Sequence, residues 1–544
     1  MKTSNRAVFL IWIALFAVWF GTLDYRKLVR PDEGRYAEIP REMVATGDWL
    51  TPRLNGIKYF EKPALQYWAT AAGYKVFGES EWTARLWPAL TGFLSVLLAA
   101  WAGRRLWGKQ EGLLAAAILA STLLFIVMSH IITLDMGLSF FLQVAWTAFL
   151  LAQQGEARTS RKWMWLMWAA LALAVLSKGL VAIVLTGATL VAYTILNRDI
   201  SPWKKLRPFS GLLIFLAVAA PWFVAVSIKN PEFARFFFIH EHFERFLTKV
   251  HHRYQPDWYF IPIYLAGALP WSFLLLHAFC KSWKRNPAAT FQSERFLFLW
   301  VAVTFGFFSL SDSKLPPYIL PVFPALAMLG ASQLVRISPR ALLSHLLILG
   351  GLSLLGISQL YRIDLDADFV TPVELLDKFV RWLYVAGVSM LIAIFAAMFL
   401  VWKKRIVAAL FAVALGGIAL TFPPLLGHDN LSLATSSAHI AAQVRPLLQP
   451  DVPFYSVQRY EQTLPFYIKR TVTVVAYQDE LAFGMAQEPQ KWIPTMTEFK
   501  RRWANDADAF AIMSIDTYNE LLTEGLPMNE IARDTRAIIV RKPT

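Results

Sequence analysis

The 544-residue chain is 56% hydrophobic and only 17% charged, with a mean hydropathy of +0.43, which excludes a soluble globular protein. A formal charge of +15 would suit a nucleic-acid binder, but the lysines and arginines fall in short clusters between apolar runs, where the positive-inside rule accounts for them. The single cysteine, Cys280, excludes an internal disulfide and a cysteine-based metal cage.

In chain order, the first apolar run covers residues 7 to 23. It lacks a small-residue cleavage site and is followed by further spans, so it reads as a retained anchor. Further runs lie near 84–103, 112–130, 133–153, 163–177, 179–196, 210–228, 259–280, 296–311, 317–335, 342–360, 382–402 and 406–425. Together they predict about thirteen membrane helices, each long enough for a hydrocarbon core of about 30 Å. Basic clusters test the topology independently. Arg104, Arg105 and Lys109, then Arg158, Arg161 and Lys162, then Arg198, Lys204, Lys205 and Arg207, then Lys281, Lys284 and Arg285, then Arg336 and Arg340, then Lys403, Lys404 and Arg405 fall in alternate connections. With Lys2 and Arg6 cytoplasmic, all of them share one side, and an odd number of spans leaves the tail outside.

Two outward connections are long, residues 24–83 and 229–258, while those near 131, 178 and 312 are tight. The first long loop contains a helix pattern over 33 to 46: Tyr36, Ile39 and Met43 share one face, Arg35, Glu38 and Glu42 another, and Gly47 closes it. Such a segment is expected to lie in the membrane interface. A second short helix is expected from Pro63 to about residue 76. Just after the first span stands Arg30-Pro31-Asp32-Glu33-Gly34-Arg35-Tyr36. Its acidic pair reads in two ways, as a cap and dipole partner for the helix or as a reactive carboxylate at headgroup depth. Lys62, at a helix start, reads either as a phosphate ligand or as a snorkelling lysine.

Asp135 opens the fourth span on the same outward side, and an ionisable residue so near hydrocarbon points to function. Two outward carboxylate sites suit glycosyl transfer, in which positive charge develops at the sugar carbon while a nucleophile is oriented or deprotonated. Lys178, in the tight turn Leu176-Ser177-Lys178-Gly179, shares the two readings of Lys62. The second long loop offers His240-Glu241-His242, Glu244-Arg245 and His251-His252-Arg253. Histidines at i and i+2 share a face only in extended backbone, so a metal there requires a non-helical segment. Arg245 and Arg253 suit a lipid phosphate. Ser311-Asp312-Ser313-Lys314-Leu315-Pro316-Pro317-Tyr318 adds polar groups to the same rim.

After Pro424 the chain turns polar, and residues 428–544 are expected to form a soluble α/β domain. Strands are expected at 453–457, 472–476, 509–513 and 537–541, with helices near 433–447, 495–504 and 515–524. Residues 1–427 form the membrane domain in this division. No phosphate-cradling glycine motif and no internal repeat is visible.

The run from Asp32 to Met43, Gly47-Asp48-Trp49 and Tyr59-Phe60-Glu61-Lys62-Pro63 resembles the first periplasmic loop of bacterial 4-amino-4-deoxy-L-arabinose lipid A transferases. These are GT-C membrane glycosyltransferases related to protein O-mannosyltransferases. The resemblance continues through Thr133-Leu134-Asp135, Leu176-Ser177-Lys178-Gly179 and the run from Lys314 to Pro321. It implies an inner-membrane enzyme with a periplasmic site and tail. The expected reaction is transfer of aminoarabinose from undecaprenyl phosphate to a lipid A phosphate, with inversion, giving resistance to polymyxin-like peptides. Residues and resemblance together assign Asp32, Glu33 and Asp135 to catalysis and Arg35, Lys62, Lys178 and Arg245 to the donor phosphate. Lys58, Tyr36, Tyr59, Glu61, Arg41 and Tyr318 are expected to bind substrate. No cofactor is required, Glu61 and His242 being the positions for a divalent metal if one is bound. The rival readings are a protein O-mannosyltransferase-like enzyme and, more distantly, a lipid transporter or flippase, which would carry ionisable groups deep in its spans and inverted repeats.

Overall fold

The computed structural model describes residues 5–155, 157–244, 255–287 and 289–543. Among the described residues, seven helices are long and apolar enough to cross a membrane, and two bent helix pairs pass the same test together. Phe9–Gly21, Val181–Asn197 and Val322–Leu334 are shorter apolar helices. Large side chains such as Phe9, Phe209, Phe395 and Trp402 stay exposed on their outer faces, as lipid contact requires. At the centre stands α7 (Asp135–Gln154), buried along nearly its whole length. It packs on α4 (Glu81–Leu106) and α8 (Ala157–Lys178).

Two spans expected to be continuous are broken. The run near 112–130 divides into α5 (Lys109–Leu119) and α6 (Leu123–Ser129), bent by 68°, and the run near 259–280 divides at residues 268–271, bent by 114°. The hydroxyls of Ser121 and Thr122 donate back to the Ala117 and Ile118 carbonyls, and Pro270 lacks an N–H to continue its helix. Each break satisfies the other: Leu123 N donates to the Leu269 carbonyl at 3.0 Å, and Trp271 Nε1 donates to Ser121 Oγ at 2.9 Å. Irregular backbone survives at membrane depth only where protein groups meet its polar atoms.

The first long loop carries α2 (Asp32–Thr46), a hairpin of β1 (Arg53–Leu54) and β2 (Ile57–Lys58), and α3 (Leu65–Phe77). Gly47 ends α2 at φ 74°, its N–H returning to the Met43 carbonyl, as expected of a glycine stop. The hairpin turns on Asn55-Gly56, both with positive φ, the dipeptide such two-residue turns favour. The helix α2, expected to lie in the interface plane, is covered by protein, every residue from Glu33 to Met43 being buried. Its charged face meets protein partners instead of headgroups.

The tail, which reaches α2 through Glu480 and the Lys469 carbonyl, forms a five-stranded sheet of order β4-β3-β5-β7-β6. Its strands are β3 (Phe454–Val457), β4 (Thr473–Val475), β5 (Phe510–Met513), β6 (Asn529–Arg533) and β7 (Ile538–Arg541). β3 runs parallel to β4 and β5, and β7 runs antiparallel to β5 and β6. Four strands fall where the sequence places them. The edge strand β6 escapes because only Ala532 of its five residues is buried, so it has no apolar alternation to read. The helix expected at 433–447 is broken into Ser432–Thr435, Ala438–Val444 and a 3-10 turn, Arg445–Leu447.

Loop and tail share one hydrophobic core, in which Tyr36, Met43, Ile57 and Tyr67 pack with Phe466, Val474, Phe510 and Ile539. Two glycines permit the approach. A Cβ on Gly34 would stand 2.6 Å from the Gln462 carbonyl carbon, and one on Gly484 would stand 2.2 Å from the Lys58 oxygen. Asn55 adds a two-way bond, accepting from Val472 N at 2.8 Å and donating to the Val472 carbonyl at 2.7 Å.

Candidate functional site

Glu33 joins the start of α2 to the chain just after the first span, to α4 and to the turn before α7. Its carboxylate is 1% exposed and accepts two hydrogen bonds from Arg26 (2.8 and 3.0 Å) and two from Arg85 of α4 (both 2.9 Å). Val29 N and Ile132 N donate to it as well, at 2.9 and 3.3 Å. Arg85 also donates to the Leu23, Arg26 and Lys27 carbonyls, and Arg26 to that of His130. Burial would raise the Glu33 pKa, but the two guanidinium charges outweigh it and hold the carboxyl well below the usual range. Both oxygens are fully engaged, each by Arg26, Arg85 and a backbone N–H, and the carboxylate acts as a brace. It fixes the start of α2 against the turn that leads to Asp135.

The brace leaves Asp32 facing outward. Its side chain is 48% exposed, with Oδ1 3.2 Å from Arg35 Nη2. It borders a cavity of about 500 Å³ whose walls include Arg30, Thr133, Leu123, Leu315 and Leu420. The cavity is therefore polar at the loop end and apolar along the helices, including α6 of the broken span. Thr133, two residues before Asp135, lines the same cavity as Asp32.

Asp135, at the first turn of α7, forms an ion pair with Lys178 at the end of α8. The Lys178 ammonium also lies 4.6 Å from the centre of the Tyr318 ring, a cation–π distance. Sequence positions far apart thus become one acid–base–aromatic group.

A second group surrounds Arg35. Its Nη1 is 2.8 Å from Glu480 Oε2 and donates to Tyr59 Oη at 2.9 Å, while the guanidinium lies 5.4 Å from the Tyr36 ring centre. Glu480 belongs to the tail, and nothing in its local sequence marks it. Burial pushes its carboxyl up, opposed by Arg35. The Tyr67 hydroxyl and Arg35 Nε are buried with no hydrogen-bond partner among the described residues. Burial drives the Tyr67 phenol far above its ordinary pKa, with Glu61 the next contributor. Glu61 stays partly exposed beside this group.

Lys62 donates to the Glu61 carbonyl at 2.8 Å and to Glu241 Oε2 at 3.2 Å, so the second long loop reaches the first through a carboxylate that sequence reasoning passed over. Two expected substrate ligands are engaged elsewhere. Lys58 donates to Glu232 at 2.6 Å. Arg41 makes a two-pronged pair with Glu38, both bonds 2.6 Å, and reaches the Lys469 carbonyl of the tail. Both are paired within the protein, the Lys58–Glu232 pair staying partly exposed. Next to that pair Glu42 accepts from Asn55 N and Gly56 N at 2.5 and 2.7 Å, and burial with Glu38 pushes its carboxyl well up. Arg245, Arg253 and the side chain of His242 lie outside the described residues. Among the described residues no three His, Cys, Asp or Glu side chains gather as metal ligands would.

Comparison with known proteins adds two family models, two relatives and two solved structures. The dolichyl-phosphate-mannose-protein mannosyltransferase family model matches residues 5–237, and the aminoarabinose transferase C-terminal domain model matches residues 440–542. An undecaprenyl phosphate-alpha-4-amino-4-deoxy-L-arabinose arabinosyl transferase of Aeromonas salmonicida (strain A449) is 35% identical over 337 residues, 62% of this chain and 60% of the relative. The namesake from Pseudomonas aeruginosa (strain UCBPP-PA14) is 35% identical over 60% of this chain and 59% of its own length. The matched region thus spans about three fifths of these curated relatives. Over the whole length, the crystal structure of ArnT from Cupriavidus metallidurans bound to undecaprenyl phosphate is 38% identical. It covers 99% of this chain and 98% of its own, with a TM-score of 0.94. The archaeal oligosaccharyltransferase AglB from Archaeoglobus fulgidus, 12% identical with a TM-score of 0.52, shares the fold alone.

Proposed function

Given that the chain belongs to the aminoarabinose transferase (ArnT) family, we propose that it moves 4-amino-4-deoxy-L-arabinose from undecaprenyl phosphate to a phosphate of lipid A. The observation that carries this reading is the half-exposed Asp32 beside a cavity of about 500 Å³, in a chain alike end to end to a structure bound to undecaprenyl phosphate. We infer further that the chain crosses the bacterial inner membrane about thirteen times. Its rim and tail then face the periplasm, and residues 428–544 act as the periplasmic part. Neutralising lipid A phosphates in this way would give resistance to polymyxin and other cationic peptides.

The proposed reaction is a single in-line displacement. A lipid A phosphate oxygen forms its bond to the anomeric carbon while the bond from that carbon to the donor phosphate oxygen breaks. The electron pair leaves with undecaprenyl phosphate, and the configuration inverts. A phosphate acceptor is already largely ionised near neutral pH, so Asp32 need not remove a proton from it. Its task is to orient the acceptor or to meet the ammonium of the aminosugar. Lys62, Lys178 and Arg35, with Arg245 from the second loop, would neutralise the departing phosphate. The unpartnered Tyr67 hydroxyl and Arg35 Nε would gain hydrogen bonds from a bound headgroup. Tyr36 and Tyr59 line the same group, and Tyr318 backs Lys178. With both lipids anchored in the helices, alignment of the headgroups supplies much of the rate.

Mass spectrometry of lipid A from cells with and without the chain tests the reading: a mass gain equal to aminoarabinose is expected, and its absence overturns the assignment. The match of residues 5–237 to protein mannosyltransferases favours a second reading, a prenyl-phosphate sugar transferase acting on Ser or Thr. Offering purified lipid A and a Ser/Thr peptide to the protein with each donor separates the two. We also propose that no metal is needed, because a phosphate monoester leaves tolerably once its charge is met. Any ion held by Glu61 and His242 would be adventitious, and transfer should survive a chelator.

A further inference from the structure

Glu480 reaches the rim from the loop before the tail helix Ala482–Gln487. It is 11% exposed. One oxygen accepts from Gln462 Nε2 at 2.9 Å and the other lies 2.8 Å from Arg35 Nη1. The opposite nitrogen, Nη2, meets Asp32 at 3.2 Å. The guanidinium is therefore divided between a tail carboxylate on one side and the exposed rim carboxylate on the other. The residue before it, Gly34, touches the main chain of Gln462 and Thr463, so α2 and the segment that carries Gln462 advance as one body.

We propose that Glu480 is a positioning residue through which the C-terminal domain completes the active site, holding Arg35 so that Asp32 remains available to substrate. Among the described residues, Asp32 and Glu480 are the carboxylates in ion-pair contact with Arg35. A buried guanidinium demands a counter-charge. Without Glu480, Arg35 would draw on Asp32 alone, turning that carboxylate inward and spending its charge. With Glu480 in place the pull is shared, and Tyr59 is fixed by the same nitrogen. This assigns a task to the tail, and it rests on the transfer reaction proposed above.

The test uses the full-length protein in detergent with undecaprenyl-phosphate aminoarabinose and lipid A. Glu480→Gln keeps the side-chain shape and the Gln462 contact while removing the charge. Its kcat per mole of bound undecaprenyl phosphate is expected to fall by about tenfold or more, with the donor KM within about twofold of wild type. Glu480→Asp should recover part of the loss. Normalising to bound donor removes any fraction of misfolded protein, which a purely structural role would change. An unchanged normalised kcat overturns the proposal. So does a fall matched by a rise in KM, which would make Glu480 a donor contact. Wild-type protein that moves no aminoarabinose would instead refute the underlying reaction, and this inference with it.

Discussion

Glu33→Gln separates bracing from catalysis. The wild-type carboxylate receives four hydrogen bonds from the two guanidiniums and two from backbone N–H groups, all at 3.3 Å or less. An amide oxygen replaces part of this but carries no charge, which leaves Arg26 and Arg85 facing each other in the interior. Removing one partner of a buried ion pair costs about 3–5 kcal/mol, a large share of the roughly 5–15 kcal/mol that holds a typical fold. Thermal denaturation in detergent should therefore show a large drop in melting temperature for Glu33→Gln at pH 7. The pH dependence supplies a sign. A carboxyl whose folded pKa is depressed contributes stability in full above its unfolded value, about 4.3, and loses it as pH falls toward the folded value. The gap between wild type and variant should accordingly be widest near neutrality and close as the pH drops from about 5. A variant that melts with the wild type at pH 7 would refute the brace and return Glu33 to the list of reactive carboxylates.

The contrasting substitution is Asp32→Asn, which should cut transfer by about 100-fold or more with an unaltered melting temperature, because the side chain is half-exposed; full activity would remove it from the site. Lys178→Ala strips Asp135 of its part-buried cation and should cost about 1–3 kcal/mol of stability along with transfer, while Lys178→Arg should restore the melting temperature. Unaltered melting in Lys178→Ala would mean that the pair is solvated. Lys62→Ala should raise the donor KM by about tenfold; unchanged donor kinetics would leave Lys62 as a tie between the two long loops through Glu241.

Much of the architecture is legible because hydropathy is written locally. The apolar runs, the glycine stop of α2 at Gly47 and four of the five tail strands each depend on neighbours in sequence. The Asn55-Gly56 turn was equally readable and supplies a hairpin that the broad pattern passes over. The surroundings of α2 are not legible in the same way. Its amphipathic pattern states that one face needs apolar cover and the other polar partners, and headgroups and a protein domain satisfy that demand equally well. Only the shared core of Met43, Tyr67, Phe466 and Phe510 decides for the protein.

The same distinction governs the site. Sequence by itself determined that acids and bases collect in the connections between apolar runs, since charge and apolar length alone sort residues into connection and span. Tertiary structure alone decided which charges are spent and which remain. Adjacent in sequence, Asp32 and Glu33 part because the α-helix turns them about 100° from one another, burying Glu33 between Arg26 and Arg85 and leaving Asp32 half-exposed beside Arg35. Arg41 meets Glu38 and the tail, whereas Arg35 is shared between Asp32 and a carboxylate hundreds of residues away. Ion pairing in a low-dielectric setting depends on distance in space, and that distance is fixed only when the whole chain has packed.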